Sequence, residues 1–149
     1  MAKGILGVVA GLVVWVLIVT VAGTVMRLSW PAYDGVAVAM TFTLPMLIAR
    51  LSLGAVATLA SGLVTAVIVP GSIVARLTPG LLLLIAFIPV HMTLWDAFPV
   101  WYHLTFLLSL VPLAWLGGAL AGAAAQRCWR AGGSPRPRRA GDKITRTIV

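Results

Sequence analysis

Four long apolar runs limit this chain to the folds of membrane proteins. Of its 149 residues, 61% are hydrophobic and only 9% are charged, a composition far from that of soluble domains. A helix needs about 20 mainly apolar residues to cross a bilayer. Runs of that length predict spans at about 4–26, 45–69, 79–95 and 101–125. We therefore predict an all-α polytopic membrane protein, a four-transmembrane-helix bundle that forms one domain over residues 1–125.

Prolines and turn-forming residues divide these runs. As one helix, residues 36–69 would be about 50 Å long, against a hydrocarbon core of roughly 30 Å. Pro45 is the predicted start of the second span, because proline fits the first turn of a helix and disfavours helical geometry in the residue before it. Residues 36–44 then become an interfacial or re-entrant segment. Pro79 likewise starts the third predicted span after a connection at 70–78, and a turn is predicted at 29–35.

The basic residues predict the orientation. An even number of spans places both termini on one side, together with Lys3, Arg76 and seven basic residues of the segment 126–149, whereas Arg27 and Arg50 lie toward the other side. The seven are Arg127, Arg130, Arg136, Arg138, Arg139, Lys143 and Arg146. By the positive-inside rule both termini are cytoplasmic, in a bacterial inner membrane or a plasma membrane. Residues 126–149 are predicted to be a disordered basic tail.

The lipid bilayer is the first predicted partner. Basic residues near a membrane surface attract anionic headgroups, so Arg127 and Arg130 are predicted to bind anionic lipid. Nucleic acid is not predicted as a partner, because the tail has no folded nucleic-acid-binding motif and its topology-setting role explains its charge.

Small residues recur every four positions in three of the spans. The stripes are Gly7 and Gly11; Gly54, Thr58, Gly62 and Ala66; and Ala114, Gly118 and Gly122. Small side chains let helices approach closely where lipid supplies no hydrophobic drive for association. The stripes predict tight packing within the bundle or between copies, so a homo-oligomer or a larger membrane complex is a predicted assembly.

Polar side chains collect toward the predicted outer face. Arg50 lies about 7.5 Å into the second span, where its long side chain can reach the headgroups. Its alternatives are contact with lipid phosphate, pairing with Asp96 or Asp34, and binding of an anionic ligand. Asp34 precedes Gly35 and suits an N-cap or a turn. Asp96 follows the end of a helix, where the macrodipole disfavours a carboxylate, so we expect water, Arg50 or Arg27 to compensate it.

Two histidines flank the predicted outer hairpin. His91 and His103 are each six positions from Ala97, so in an antiparallel pair of helices they lie at one depth. Interfacial hydrogen bonding is one interpretation, and the alternatives are ligation of a metal or a haem and exchange of protons. Zinc sites use three or four protein ligands, and Asp96 is not at helical spacing from either histidine. No cofactor is therefore predicted.

Aromatic residues mark the same outer ends of the spans. They are Trp30, Tyr33, Trp95, Trp101 and Tyr102. Tryptophan and tyrosine are enriched where a membrane meets water, so we interpret this set as an interfacial belt.

The first span resembles a group of known proteins. The stretch "GILGVVAGLVVW", residues 4–15, is similar to the starts of small, uncharacterised bacterial multi-span membrane proteins, and the layout of four spans and a basic tail resembles theirs. The resemblance implies a multi-span architecture and no catalytic or ligand-binding residues.

Three functions are open at this point. The chain has no nucleotide-binding loop, no Gly-x-Ser-x-Gly elbow and no His-Glu-x-x-His motif, which favours a non-enzymatic protein. The first hypothesis is an accessory or interaction subunit of an envelope complex. The alternatives are a small oligomeric transporter or channel that uses Arg50 on the outer side, and a metal- or haem-binding redox subunit that uses His91 and His103.

Overall fold

The chain folds into helices only, over the residues that the structure describes. A computed structural model describes residues 2–131, without the side chains of 129–131. It contains α1 (Ala2–Ser29), α2 (Pro31–Ala37), α3 (Leu44–Ile68), α4 (Ile73–Thr93), a 3₁₀ turn (Trp95–Ala97) and α5 (Val100–Ala131). The helices α1, α3, α4 and α5 are long and apolar enough to cross a membrane. The prediction of an all-α protein with four long apolar helices is confirmed.

The helix α4 begins well before the predicted start of the third span. Ser72 is its N-cap, and the side chain of Ser72 accepts a hydrogen bond of 3.2 Å from the backbone N–H of Ala75. This cap satisfies one of the amide groups that have no partner within the helix. Pro79 therefore lies inside α4, where it removes one hydrogen bond to the carbonyl of Ala75 without ending the helix.

Two other predicted boundaries change. The predicted turn at 29–35 is mostly the short helix α2, which starts with Pro31 because proline suits the first helical position. The helix α5 continues past residue 125 to Ala131, through alanine, glutamine and arginine, which are good helix formers. Part of the predicted disordered tail is thus helical. Residues 132–149 and the side chain of Arg130 lie outside the described residues, together with the predictions that concern them.

The helix α3 is the centre of the bundle and contacts α1, α4 and α5. Its contact with α5 is made at glycines: Gly62 lies on the backbone of Ala114, and Gly117 lies on the backbone of Leu59. A Cβ at either glycine would overlap backbone atoms of the other helix. The small-residue stripe of the second span therefore packs within the bundle.

The contact between α1 and α3 is also close, and it contains hydrogen bonds. Trp15 Nε1 donates to Thr58 Oγ1 at 3.1 Å. The hydroxyl of Thr65 lies 2.9 Å from the carbonyl oxygen of Ser61 in its own helix and 3.1 Å from that of Gly7 in α1, so these two acceptors share its one proton. Gly11 lies against Ser61 and Thr65. Hydroxyl groups on one face of α3 thus hold α1 where only glycine leaves room for them.

Candidate functional site

A cavity of about 220 Å³ opens at the end of the bundle where α1 and α4 finish and α3 and α5 begin. We call this the Arg50 end. All four long helices contribute to its walls. Its aromatic and polar lining consists of Trp15, Tyr33, Arg50, Phe87, His91, Phe98, Tyr102 and Phe106. The cavity therefore has aromatic walls and one formal charge.

Arg50 is half-buried in the second turn of α3 and is held by two tyrosines. One terminal nitrogen donates to the hydroxyl of Tyr33 at 2.8 Å, and Nε donates to the hydroxyl of Tyr102 at 3.4 Å. The guanidinium carbon lies 4.7 Å from the ring centroid of Phe42, a cation–π contact. A guanidinium has five N–H donors, so most of them remain available to a further partner.

Arg50 has no carboxylate partner among residues 2–131. Asp34 instead pairs with Arg27, Nε to Oδ1 at 2.8 Å, and both side chains are about half exposed. Asp96 lies in the 3₁₀ turn and is exposed to solvent. The pairing of Arg50 with Asp34 or Asp96, one of the expected alternatives, is therefore replaced by hydrogen bonds to neutral tyrosines. Within residues 2–131 Asp96 pairs with neither Arg50 nor Arg27.

Asp34 also has a different place from the expected N-cap. It lies in the first turn of α2, whose N-cap is Trp30. A carboxylate in the first turn stabilises a helix through its dipole, and the ion pair with Arg27 ties α2 to the end of α1. Tyr33, the preceding residue of α2, lines the cavity and is 3% exposed.

An aromatic layer fixes the two tyrosines. Tyr33 packs on Phe42 with ring centroids 5.1 Å apart, Phe42 stacks on Phe98 at 6.0 Å, and Phe98 packs on Tyr102 at 5.1 Å. Pairs at these distances add to the energy of burial. The layer holds both hydroxyl groups against Arg50.

The two histidines lie at one depth, as their equal distance from Ala97 predicts, and the structure brings them into contact. Their Nδ1 atoms are 2.7 Å apart, and the rings are nearly perpendicular. His91 is 8% exposed and lines the cavity. His103 is completely buried, its ring stacks on Trp95 with centroids 4.9 Å apart, and its Nε2 has no hydrogen-bond partner among the described residues.

A hydrogen bond accounts for this contact without a metal ion. Within residues 2–131 no three histidine, cysteine, aspartate or glutamate side chains are grouped as metal ligands, and zinc sites in proteins use three or four ligands. The metal or haem hypothesis stays a prediction. The Nδ1 atoms of the two histidines already contact each other.

The two tyrosines have a role that the sequence did not predict. Tyr33 and Tyr102 are buried and bond to Arg50, whereas Trp95 and Trp101 are exposed as an interfacial belt requires. All four have the same position relative to the predicted spans. The signal that could have indicated this role is the phenolic hydroxyl, since a buried tyrosine needs a polar partner. Arg50 lies at the same predicted depth as the two tyrosines and could have been identified as that partner.

No family model, curated protein or solved structure matches the chain. The chemistry of the cavity must therefore carry the functional argument. The cavity presents a positive charge, two oriented hydroxyl groups, one imidazole and aromatic walls. Such a site suits binding and orientation of an anion with an apolar body.

Proposed function

We propose that this multi-pass membrane protein binds an anionic, partly apolar small molecule in the cavity at the Arg50 end. The observation that carries the proposal is a half-buried guanidinium whose hydrogen-bond partners are both neutral. Removing a charge from water without a counter-ion is costly. A carboxylate or phosphate in the cavity would compensate that cost and use the free N–H donors of Arg50.

The aromatic walls of the cavity suit the apolar part of the proposed ligand. Phe87, Phe98, Phe106 and Trp15 surround the space next to Arg50. Aromatic side chains bind apolar groups through a large contact area. The preferred ligand therefore has an apolar, ring-sized body beside its anionic group.

The orientation of the protein is part of the proposal. The basic residues favour cytoplasmic termini, which places the Arg50 end on the outer side of a bacterial inner membrane or a plasma membrane. The proposed ligand then enters from the outer side or from the outer leaflet of the bilayer.

The packing of the bundle favours binding over transport through the protein. On the far side of the cavity, α1, α3 and α5 approach at Gly11, Gly62 and Gly117, where backbone or hydroxyl groups occupy the space of a side chain. A channel would need these contacts to separate. The role of an accessory subunit of an envelope complex is compatible with ligand binding and stays a prediction.

Two probe molecules that have nearly the same shape and differ in charge test the proposal. The full-length protein in dodecyl maltoside is titrated with 2-naphthoate and with the uncharged 2-naphthamide by calorimetry, with protein-free micelles as the blank. We expect the wild-type protein to bind the carboxylate at least about tenfold more tightly, since charge-assisted hydrogen bonds contribute about 1.5–3 kcal/mol. Arg50→Gln should remove this preference, and Arg50→Lys should keep part of it, because lysine retains the charge and loses the planar fork.

Arg27→Gln is the matched control, since Arg27 is an exposed arginine at the same end. It should leave the preference for the carboxylate within about twofold of the wild-type value, because exposed ion pairs contribute little. Equal binding of the two probes by the wild-type protein, or equal losses in Arg27→Gln and Arg50→Gln, would overturn the proposal.

A further inference from the structure

The buried histidine pair determines what the cavity can recognise beside an anion. His91 and His103 belong to long apolar helices, and both rings are buried. An unpaired charge is costly there, which favours the uncharged form of the pair. A neutral imidazole has one N–H and one bare nitrogen.

The contact between the rings allows two arrangements. With Nδ1 atoms 2.7 Å apart, one ring must donate and the other must accept. If His91 donates, the proton of His103 lies on Nε2. If His103 donates, its Nε2 is bare and the proton of His91 lies on its own Nε2. The tautomers of the two rings are thus coupled.

The surroundings of His103 decide between these arrangements. Its Nε2 is buried and has no acceptor among the described residues, and Trp95 and Phe98 cover the ring. In proteins an orphaned buried N–H group is somewhat rarer than an unpaired buried acceptor. The bare Nε2 is therefore favoured, and with it the arrangement in which His103 donates.

We infer that His103 donates its Nδ1–H to His91, so that His91 presents Nε2–H to the cavity, and that the ligand carries a second hydrogen-bond acceptor besides its anionic group. The inference rests on the proposed binding function. In this arrangement His91 and Arg50 both offer donors to the cavity. The favoured class is an anionic ligand with an apolar body and a carbonyl-type oxygen at a distance from the anion, and His103 is the positioning residue that sets this preference.

The first experiment determines the tautomers without any ligand. Long-range ¹H–¹⁵N correlation spectra of the full-length protein, labelled with ¹⁵N-histidine in micelles, show which nitrogen of each ring carries the proton. The expected result is a proton on Nδ1 of His103 and on Nε2 of His91. A proton on Nε2 of His103, or two protonated nitrogens on either ring at neutral pH, would overturn the inference.

The second experiment compares 6-acetyl-2-naphthoate with 6-isopropyl-2-naphthoate, which have the same charge and nearly the same shape. The wild-type protein should bind the acetyl compound about fivefold more tightly, the difference that a typical hydrogen bond contributes. His91→Gln, whose amide N–H can replace Nε2–H, should keep the preference, and His91→Phe should abolish it. If the wild-type protein binds both compounds equally, the second acceptor is wrong.

The two proposals fail in different ways. If neither naphthoate binds, the anion-binding function itself is wrong, whatever tautomers the spectra show. If both bind through Arg50 but the tautomers are reversed, only the inference on His103 and the second acceptor is wrong.

Discussion

Arg50 and Arg76, both within long apolar helices, have opposite surroundings. Arg50 meets two tyrosine hydroxyls beside a cavity. Arg76, in the first turns of α4, lies along α5 at Gly118 and Gly122, where a Cβ at Gly118 would come within 2.7 Å of its Cγ. Its Nε is buried and has no hydrogen-bond partner among the described residues. Arg50 is held by tyrosines beside open space, whereas the stem of Arg76 lies against glycines of α5.

The same contrast divides the whole bundle. At the Arg50 end, aromatic and polar side chains surround open space, and a Cβ at Gly23 would meet nothing within 4 Å. In the other half, which we call the glycine-packed half, Gly7, Gly11, Gly62 and Gly117 lie directly on neighbouring helices. Substitutions in the glycine-packed half should therefore lower stability, and substitutions at the Arg50 end should mainly change binding.

The largest effect is expected from Gly62→Ala. Its methyl group would overlap the backbone of Ala114, which cannot move without separating α3 from α5. We expect a loss of stability of about 3 kcal/mol or more, the upper end of the usual cost of overpacking, seen as a lower melting temperature in dodecyl maltoside. Gly23→Ala is the matched control and should not lower it, since alanine is a better helix former than glycine. Equal melting temperatures of the two variants would contradict the difference in packing between the glycine-packed half and the Arg50 end.

A smaller effect is expected from the histidine pair. His103→Phe removes one partner of the 2.7 Å contact and leaves His91 without it, which should cost about 1–3 kcal/mol. In a double-mutant cycle with His91→Phe, the double variant should be more stable than the sum of the single losses predicts. Additive losses, measured as unfolding free energies, would show that the two rings do not interact.

The tyrosines should change ligand affinity more than stability. Tyr33→Phe removes the 2.8 Å hydrogen bond to Arg50, and Tyr102→Phe removes the longer one of 3.4 Å. We expect Tyr33→Phe to weaken binding of 2-naphthoate by about fivefold, within the range of a single hydrogen bond, and Tyr102→Phe to weaken it less. A melting temperature that falls as far as in Gly62→Ala would instead make Tyr33 part of the structural core.

The smallest effect is expected from the exposed ion pair. Arg27 and Asp34 have half-exposed side chains, and such pairs contribute about 0–1 kcal/mol. Asp34→Asn should lower the melting temperature slightly at low ionic strength and not at 1 M salt, where the Debye length is about 3 Å. A loss that persists at high salt would show that Asp34 holds α2 by something other than charge.

The sequence predicted the depth of the polar residues of the site and did not predict which of them contact each other. The depth of His91 and His103 followed from counting residues on either side of the hairpin. The partners of Arg50 did not, because Tyr33 reaches it from the short helix α2, which the sequence suggested as a turn. The start of α4 was also missed, since Pro79 was predicted to lie in the first turn of the span, whereas Ser72 caps the helix.

By itself the sequence determined the number of long apolar helices and the level of each polar residue along them. Both are local properties, since hydrophobicity over about 20 residues and a rise of 1.5 Å per residue suffice to derive them. Only the tertiary structure decided that Arg50 turns to two tyrosines, that the histidines bond to each other and that Arg76 lies among glycines. Those contacts depend on the rotation of each helix about its axis, which packing against the neighbouring helices sets.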